Sequence, residues 1–157
     1  MVTFPFVLPP AGGVGGEAVS FTLNRQFRTW PLSFCWQGDT LVMTCKQTRY
    51  HIARSVVEKA DAFSWLTPQD DGTVYHDVRG TFLFVSAKAV QQLKADGSFL
   101  YDGITWRLVE DNSPGQQWHV RADIDGTEMV IAYDPRLRLY MVRSMRHNPL
   151  GIDWTLQ

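Results

Sequence analysis

The chain is poor in the features that usually announce a chemistry. It has two cysteines, Cys35 and Cys45, too few for the disulfide framework of a small secreted scaffold. No Cys-x-x-Cys, His-x-His or His-x-x-x-His spacing places paired metal ligands on one element. A Gly-x-Ser-x-Gly nucleophile turn is missing, as are Gly-x-Gly-x-x-Gly and the phosphate-loop motif. No apolar run approaches the roughly 20 residues of a membrane-spanning helix. Fifteen basic and 16 acidic residues leave a net charge of −1, which gives no strong nucleic-acid signal. The start lacks the basic residues and continuous apolar stretch of a signal peptide: the first Arg is Arg25, and Pro5, Pro9 and Pro10 interrupt. If residue 1 is the native start, the expectation is a cytoplasmic protein. These absences lead us to expect no catalytic residue, no metal and no cofactor, and they leave open whether the protein is an enzyme.

What is present is a strand-rich pattern. Its clearest stretch is Ser98 to Glu110, two alternating runs joined by Asp102-Gly103. Asp-Gly favours a type I′ turn, which needs positive φ at both central residues. That loop sets Tyr101 opposite Ile104 and Phe99 opposite Trp106. Alternation then puts Phe99, Tyr101, Ile104, Trp106 and Leu108 on one face, the expected core side, and Leu100, Thr105, Arg107 and Val109 on the other.

The cysteines yield to the same reasoning. A two-residue Gly38-Asp39 loop in the 33–46 hairpin puts Cys35 and Cys45 on opposite faces. A three-residue loop puts them on one face about 13 Å apart along the ladder, beyond the ~7 Å Cα limit for a disulfide. Two reduced, buried thiols are expected.

In chain order, residues 1–17 read as a flexible N-terminal arm. Pro5, Pro9 and Pro10 favour extended backbone, and Gly12, Gly13, Gly15 and Gly16 make a hinge. Residues 18–157 read as one β-rich domain, a size that closes a real core. Strands are expected at Val19–Leu23, around the 33–46 hairpin and at Arg49–Ala53. Ser55 and Glu58 have capping-box spacing, which predicts a helix over 56–66 before Pro68. Val74–Val78 and Thr81–Val85 read as strands broken at Gly80. Ser86 caps a second helix, Ala87 to Ala95, with Gly97 placed for a left-handed C-cap. A three-stranded meander runs from Gln117 to Val142, and a last strand from Ile152 to Leu156. The fold class expected is mainly β, an antiparallel hairpin or meander barrel or sandwich with two short helices. The alternative is α+β, one curved antiparallel sheet with helices on one face.

Histidine follows an aromatic in Tyr50-His51, Tyr75-His76 and Trp118-His119, each with an arginine nearby. A zinc site needs such residues to converge; strand alternation places a residue after a buried aromatic at the surface, the simpler reading. Of six tryptophans, Trp106, Trp118 and Trp154 fall on core-face parity, and Trp30 and Trp65 stand beside prolines as exposure candidates.

The meander supplies the candidate site. An Asp125-Gly126 loop pairs Ala122 with Met129 and Val120 with Ile131. Pro135 forbids a two-residue type I′ loop over Asp134-Pro135, and a three-residue loop pairs Ile131 with Leu139. An even loop would turn Leu137, Leu139 and Met141 outward. On the opposite face the rows become His119–Ala132–Arg138, Arg121–Val130–Tyr140 and Asp123–Glu128–Val142. His119, Arg121, Arg138 and Tyr140 are the candidate ligand-binding residues, with Arg138 and Tyr140 as anchors. The functional expectation is a non-enzymatic binding or assembly domain using an exposed sheet face and its apolar arm. Its partner is a protein, a second copy of the chain, or an anionic or apolar small ligand. The competing expectation is a lipocalin-like carrier or small enzyme with an apolar cavity inside the β-structure.

Overall fold

The computed structural model describes residues 17–64, 71–76, 78–149 and 153–157; residues 1–16 of the arm, Trp65 and Ile152 fall outside them. Strands β1 (Val19–Arg25), β2 (Arg28–Gln37), β3 (Thr40–Cys45) and β4 (Thr48–Ala53) form one antiparallel meander. Helix α1 (Arg54–Lys59) follows, then β5 (Val74–Tyr75), which joins β4 in parallel. β6 (Phe84–Val85) leads into α2 (Ala87–Asp96). A second antiparallel meander comprises β7 (Ser98–Tyr101), β8 (Ile104–Asn112), β9 (Gln117–Ala122), β10 (Glu128–Asp134) and β11 (Leu139–Arg146). The short β12 (Trp154–Leu156) lies between β1 and β11 and joins the two meanders. The described residues thus form a 12-stranded, mostly antiparallel sheet that runs from β5 to β7 without closing.

β11 is the branch point. One edge pairs with β10; the other pairs with β6 through Tyr140 and Met141, and with β12 through Ser144 and Met145. Buried side chains from both meanders and both helices form one contiguous apolar cluster, with Phe34, Phe84, Tyr50, Tyr101 and Trp118 among its largest members. Trp154 and Leu156 enter it from the seam strand.

The Asp102-Gly103 hairpin forms with the expected pairs. Both turn residues have positive φ, 55° and 71°, as a type I′ turn requires. Phe99, Tyr101 and Trp106 are buried, and Leu100 and Val109 face solvent. The Asp102 carboxylate accepts from the Phe63 amide at 3.2 Å, and the Asp102 amide donates to the Asp61 carbonyl at 2.8 Å. Beneath it, Tyr101 Oη shares a 2.6 Å hydrogen bond with Thr81 Oγ1 and accepts from the Ser86 amide at 3.2 Å. Burial pushes the Tyr101 phenol up to about 12.

Those contacts explain why α1 is shorter than expected. It starts at Arg54 behind Ala53, whose side chain makes no cap, so Ser55 lies inside the helix. It stops at Lys59 because the next carbonyls are already engaged: Ser86 Oγ donates to Ala60 O and the Asp102 amide to Asp61 O. Phe63 leaves the helical path to pack edge-on against Tyr101 and to bridge Thr81. Gly80 admits this close approach. A Cβ there would stand 2.6 Å from the Phe63 carbonyl carbon. The flanking strands shrink accordingly to Val74–Tyr75 and Phe84–Val85. Helix α2 matches its signals: Ser86 accepts from the Ala89 amide, and Gly97 adopts φ 73°.

Gln37 pairs with Thr40 across a two-residue Gly38-Asp39 loop, so Cys35 and Cys45 face opposite sides. No disulfide joins them; Cys45 is buried and Cys35 half-buried. β2 starts well before Ser33, despite Pro31. The β3 ladder begins only at Ser33–Thr44, so Pro31 meets only β1 there and its missing N–H breaks no β3 bond.

The second meander departs from expectation at both turns. Between β9 and β10 the register moves by two residues, pairing Val120 with Met129 and Trp118 with Ile131. The wider turn is closed by the Thr127 amide on Asp125 Oδ1 at 2.9 Å and by Ala122 N on Thr127 O at 2.8 Å. A shift of two leaves every side chain on its face. Between β10 and β11 the loop is four residues, 135–138, and Ile131 pairs with Val142. Asp134 enforces it: its carboxylate accepts from the Arg136 amide at 2.9 Å, and its carbonyl from the Arg138 amide at 2.7 Å. This even loop does reverse Leu139 and Met141, yet both stay buried. Side chains on both faces of this end are buried, Met141 on one and its neighbour Val142 on the other, while β6 pairs along the strand's edge and Trp36 Nε1 donates to Leu137 O at 2.7 Å. A bulge at Arg143 restores the parity, returning Met145 opposite Met129.

Candidate functional site

The four-residue loop sets Tyr133 directly opposite Tyr140. Their rings lie 5.0 Å apart, and Trp118 lies 6.0 Å from Tyr140. Trp118 is buried at the back of this strip; both tyrosines are half-buried at its rim. Lys94, in the last turn of α2, stands 5.2 Å over the Trp118 ring. Arg138 marks the other end, held in a left-handed conformation with φ 56° at the close of the loop.

Neither tyrosine hydroxyl makes a hydrogen bond among the described residues. Burial raises the Tyr133 phenol, against the Arg138 charge, which pulls it down. Burial and the neighbouring Tyr133 raise Tyr140. Both phenols therefore remain neutral O–H donors at neutral pH. Burial lowers the Arg138 guanidinium, and the Arg54 charge adds to this. Arg54 is the first residue of α1, paired to Asp39 at 3.0 Å and stacked 5.2 Å over Trp36. Two phenol donors, flanking cations and aromatic faces together suit an anionic group carried on an apolar body.

Of the four expected residues, the structure brings Arg138 and Tyr140 together and sets His119 and Arg121 apart. The even loop moves Tyr140 to the face of Trp118 and Ile131, so the row Arg121–Val130–Tyr140 does not exist. Arg138 lies in the turn and not in a strand row. His119 and Arg121 remain on the outer face, where both close on Glu128. His119 Nε2 lies 2.7 Å from Glu128 Oε1, and Arg121 donates to Oε2 at 3.2 Å. Burial works against the Glu128 carboxylate, but those two hydrogen bonds outweigh it and lower its pKa. The expected row Asp123–Glu128–Val142 does not form either: Glu128 pairs with Arg121, and Asp123 binds Arg107 at 2.8 Å.

Sequence reasoning missed Tyr133, Lys94 and Arg54 as members of this rim. Tyr133 was legible only through the loop length, and the available signal was Asp134 two residues before Arg136. Trp30, an exposure candidate, is buried beneath Arg28 and Arg25 at 4.8 and 5.9 Å. Trp106, Trp118 and Trp154 are buried. Among the described residues, no three His, Cys, Asp or Glu side chains gather as a metal site, and no helix is long and apolar enough to cross a membrane. No known protein family, curated protein or solved structure matches the chain. The site is therefore read from its geometry.

Proposed function

We propose that this protein is a non-enzymatic binding domain that takes an anionic, apolar ligand group at Tyr133, Tyr140 and Arg138. The observation that carries this reading is the Tyr133–Tyr140 pair: two half-exposed phenols, side by side, whose hydroxyls serve no bond among the described residues. Packing accounts for their rings, and their hydroxyls, at the half-exposed rim, stay accessible to a guest that can replace solvent as their partner. The cations nearby select the sign of that guest, and the rings select its apolar body.

The probe we would use is 8-anilinonaphthalene-1-sulfonate, an anion on an aromatic frame. Titration should give saturable fluorescence enhancement with the folded protein. Arg138→Glu and Tyr140→Ala should each weaken it about tenfold or more, a difference of ~1.4 kcal/mol. Equal dye binding by wild type and both variants would overturn the reading. So would dye-free thermal scans in which Tyr140→Ala unfolds the protein while wild type binds no dye, because the tyrosine would then be structural.

A further inference from the structure

A second group of side chains lies on the outer face of the first meander, away from the aromatic rim. Parallel pairing of β5 with β4 puts Arg49 beside Val74 and Tyr50 beside Tyr75. One residue further, His51 and His76 meet with ring centroids 5.0 Å apart. The backbone holding them is anchored from within, where Tyr50 and Tyr75 stack at 4.9 Å with their planes 9° apart. It is anchored at the start of β5 too. Asp71 accepts from the Tyr75 hydroxyl at 2.7 Å and the Thr73 amide at 2.9 Å. Those bonds, led by the Tyr75 hydroxyl, hold its carboxyl at about 2. The two imidazoles line an open cleft of about 350 Å³ with Arg79, Thr40, Ala53, Val56 and Val78.

We propose that this cleft binds a small oxyanion, a phosphate or carboxylate group, through Arg79, His76 and His51 with the Thr40 hydroxyl as a further donor. Among the described residues, the lining holds three nitrogen-bearing side chains and no carboxylate. His119 shows the contrast, since its partner Glu128 already supplies a negative charge. A forked guanidinium beside two imidazoles recognises an oxyanion's several acceptors. A transition metal fits less well, because cationic arginines flank the pair and a third ligand is missing among the described residues.

The groups facing His51 fix how binding depends on pH. His76 directly follows β5, the segment before β6 brings Arg79, and its own strand carries Arg49. β3 contributes uncharged Thr40 and Val42, α1 contributes Val56, and β2 places the Cys35 thiol one strand further along the row. Burial lowers the His51 pKa below 6.5, and the His76 and Arg49 charges add to it. The unfolded chain thus holds that proton more tightly, so stability falls as pH drops through 6.5. A bound oxyanion offsets the same repulsion, and its binding takes up protons.

Thermal unfolding with inorganic phosphate, at constant ionic strength in sodium chloride, tests the proposal at about pH 5.5 and about pH 8. Phosphate should raise the midpoint at both, more at the lower pH, and the rise should vanish in Arg79→Ala and His76→Ala. Equal rises in wild type and variants would overturn it. So would a His51-dependent rise with zinc alone and none with phosphate. A second readout needs no variant. On adding phosphate, the ring C–H resonances of His51 and His76 should move while those of His119 and His147 stay; stationary His51 and His76 signals would equally overturn it.

Discussion

The β7–β8 and β10–β11 hairpins are built from similar residues and behave differently. In the first, one face is core and the other meets water, so Phe99, Tyr101 and Trp106 are buried while Leu100 and Val109 are exposed. In the second, Leu139, Met141 and Val142 are all buried although neighbours point to opposite faces. The polar groups differ in the same way. The Tyr101 hydroxyl is bonded to Thr81 and Ser86, whereas those of Tyr133 and Tyr140 bond to nothing described. A strand watered on one side carries a legible alternation, and its buried polar atoms must serve the fold. A strand buried on both sides carries no such code, and its polar atoms at the half-exposed rim are not required by the fold.

The largest effect that would break this contrast lies on the second face. Met141→Ala should cost about 2–5 kcal/mol, because Met141 is fully buried on the side that alternation would have turned outward. Leu100→Ala, at the exposed position of the first hairpin, should stay within about 0.5 kcal/mol. Urea unfolding of both variants checks the pair, and equal costs would erase the distinction.

Next comes the contact that clips α1's exit to the first hairpin. Gly80→Ala forces a Cβ against the Phe63 backbone at 2.6 Å, and overpacking of that kind costs about 1–3 kcal/mol. Hydrogen exchange should then show earlier opening of the Asp102 amide, which is bonded to Asp61.

Hydroxyl deletion sharpens the comparison itself. Tyr101→Phe leaves Thr81 and the Ser86 amide without that partner in the core, a loss of about 1–3 kcal/mol. Tyr140→Phe should leave denaturant stability within about 0.5 kcal/mol and weaken dye binding instead.

The smallest effect concerns Glu128 on the outer face. Its folded pKa is depressed by His119 and Arg121, so its stabilisation is present above its unfolded value, 4.5, and is lost as pH falls through the folded value. For a partly exposed cluster this amounts to about 0.3–1 kcal/mol. Glu128→Gln should flatten that part of the stability–pH curve below about pH 4.5 and leave dye binding alone.

The same contrast explains what could be read from the residues. Asp102-Gly103, Ser86 and Gly97 carry local instructions, and the hairpin and α2 follow them. The Ser55 capping signal lost to tertiary bonds on Ala60 and Asp61, which no local pattern records. The three-residue loop was inferred from a one-sided core; the side chain of Asp134 and the burial of both faces decided otherwise. Arg138 and Tyr140 lie at one end of β11 through the four-residue loop and not through the inferred rows, and His119 and Arg121 were separated from Tyr140 by one reversal of parity. Closure into a barrel was not legible either way, because it depends on whether the edge strands β5 and β7 meet, which no local pattern records.

On the proposed reading, the Tyr133 and Tyr140 hydroxyls serve binding and not folding. The double variant Tyr133→Phe/Tyr140→Phe removes those two oxygens and keeps both rings. Its 8-anilinonaphthalene-1-sulfonate titration and its urea unfolding, run side by side, test the claim most directly. The expected result is an unfolding midpoint indistinguishable from wild type and dye affinity reduced about tenfold, or ~1.4 kcal/mol. A destabilised variant that binds dye as wild type does would contradict it.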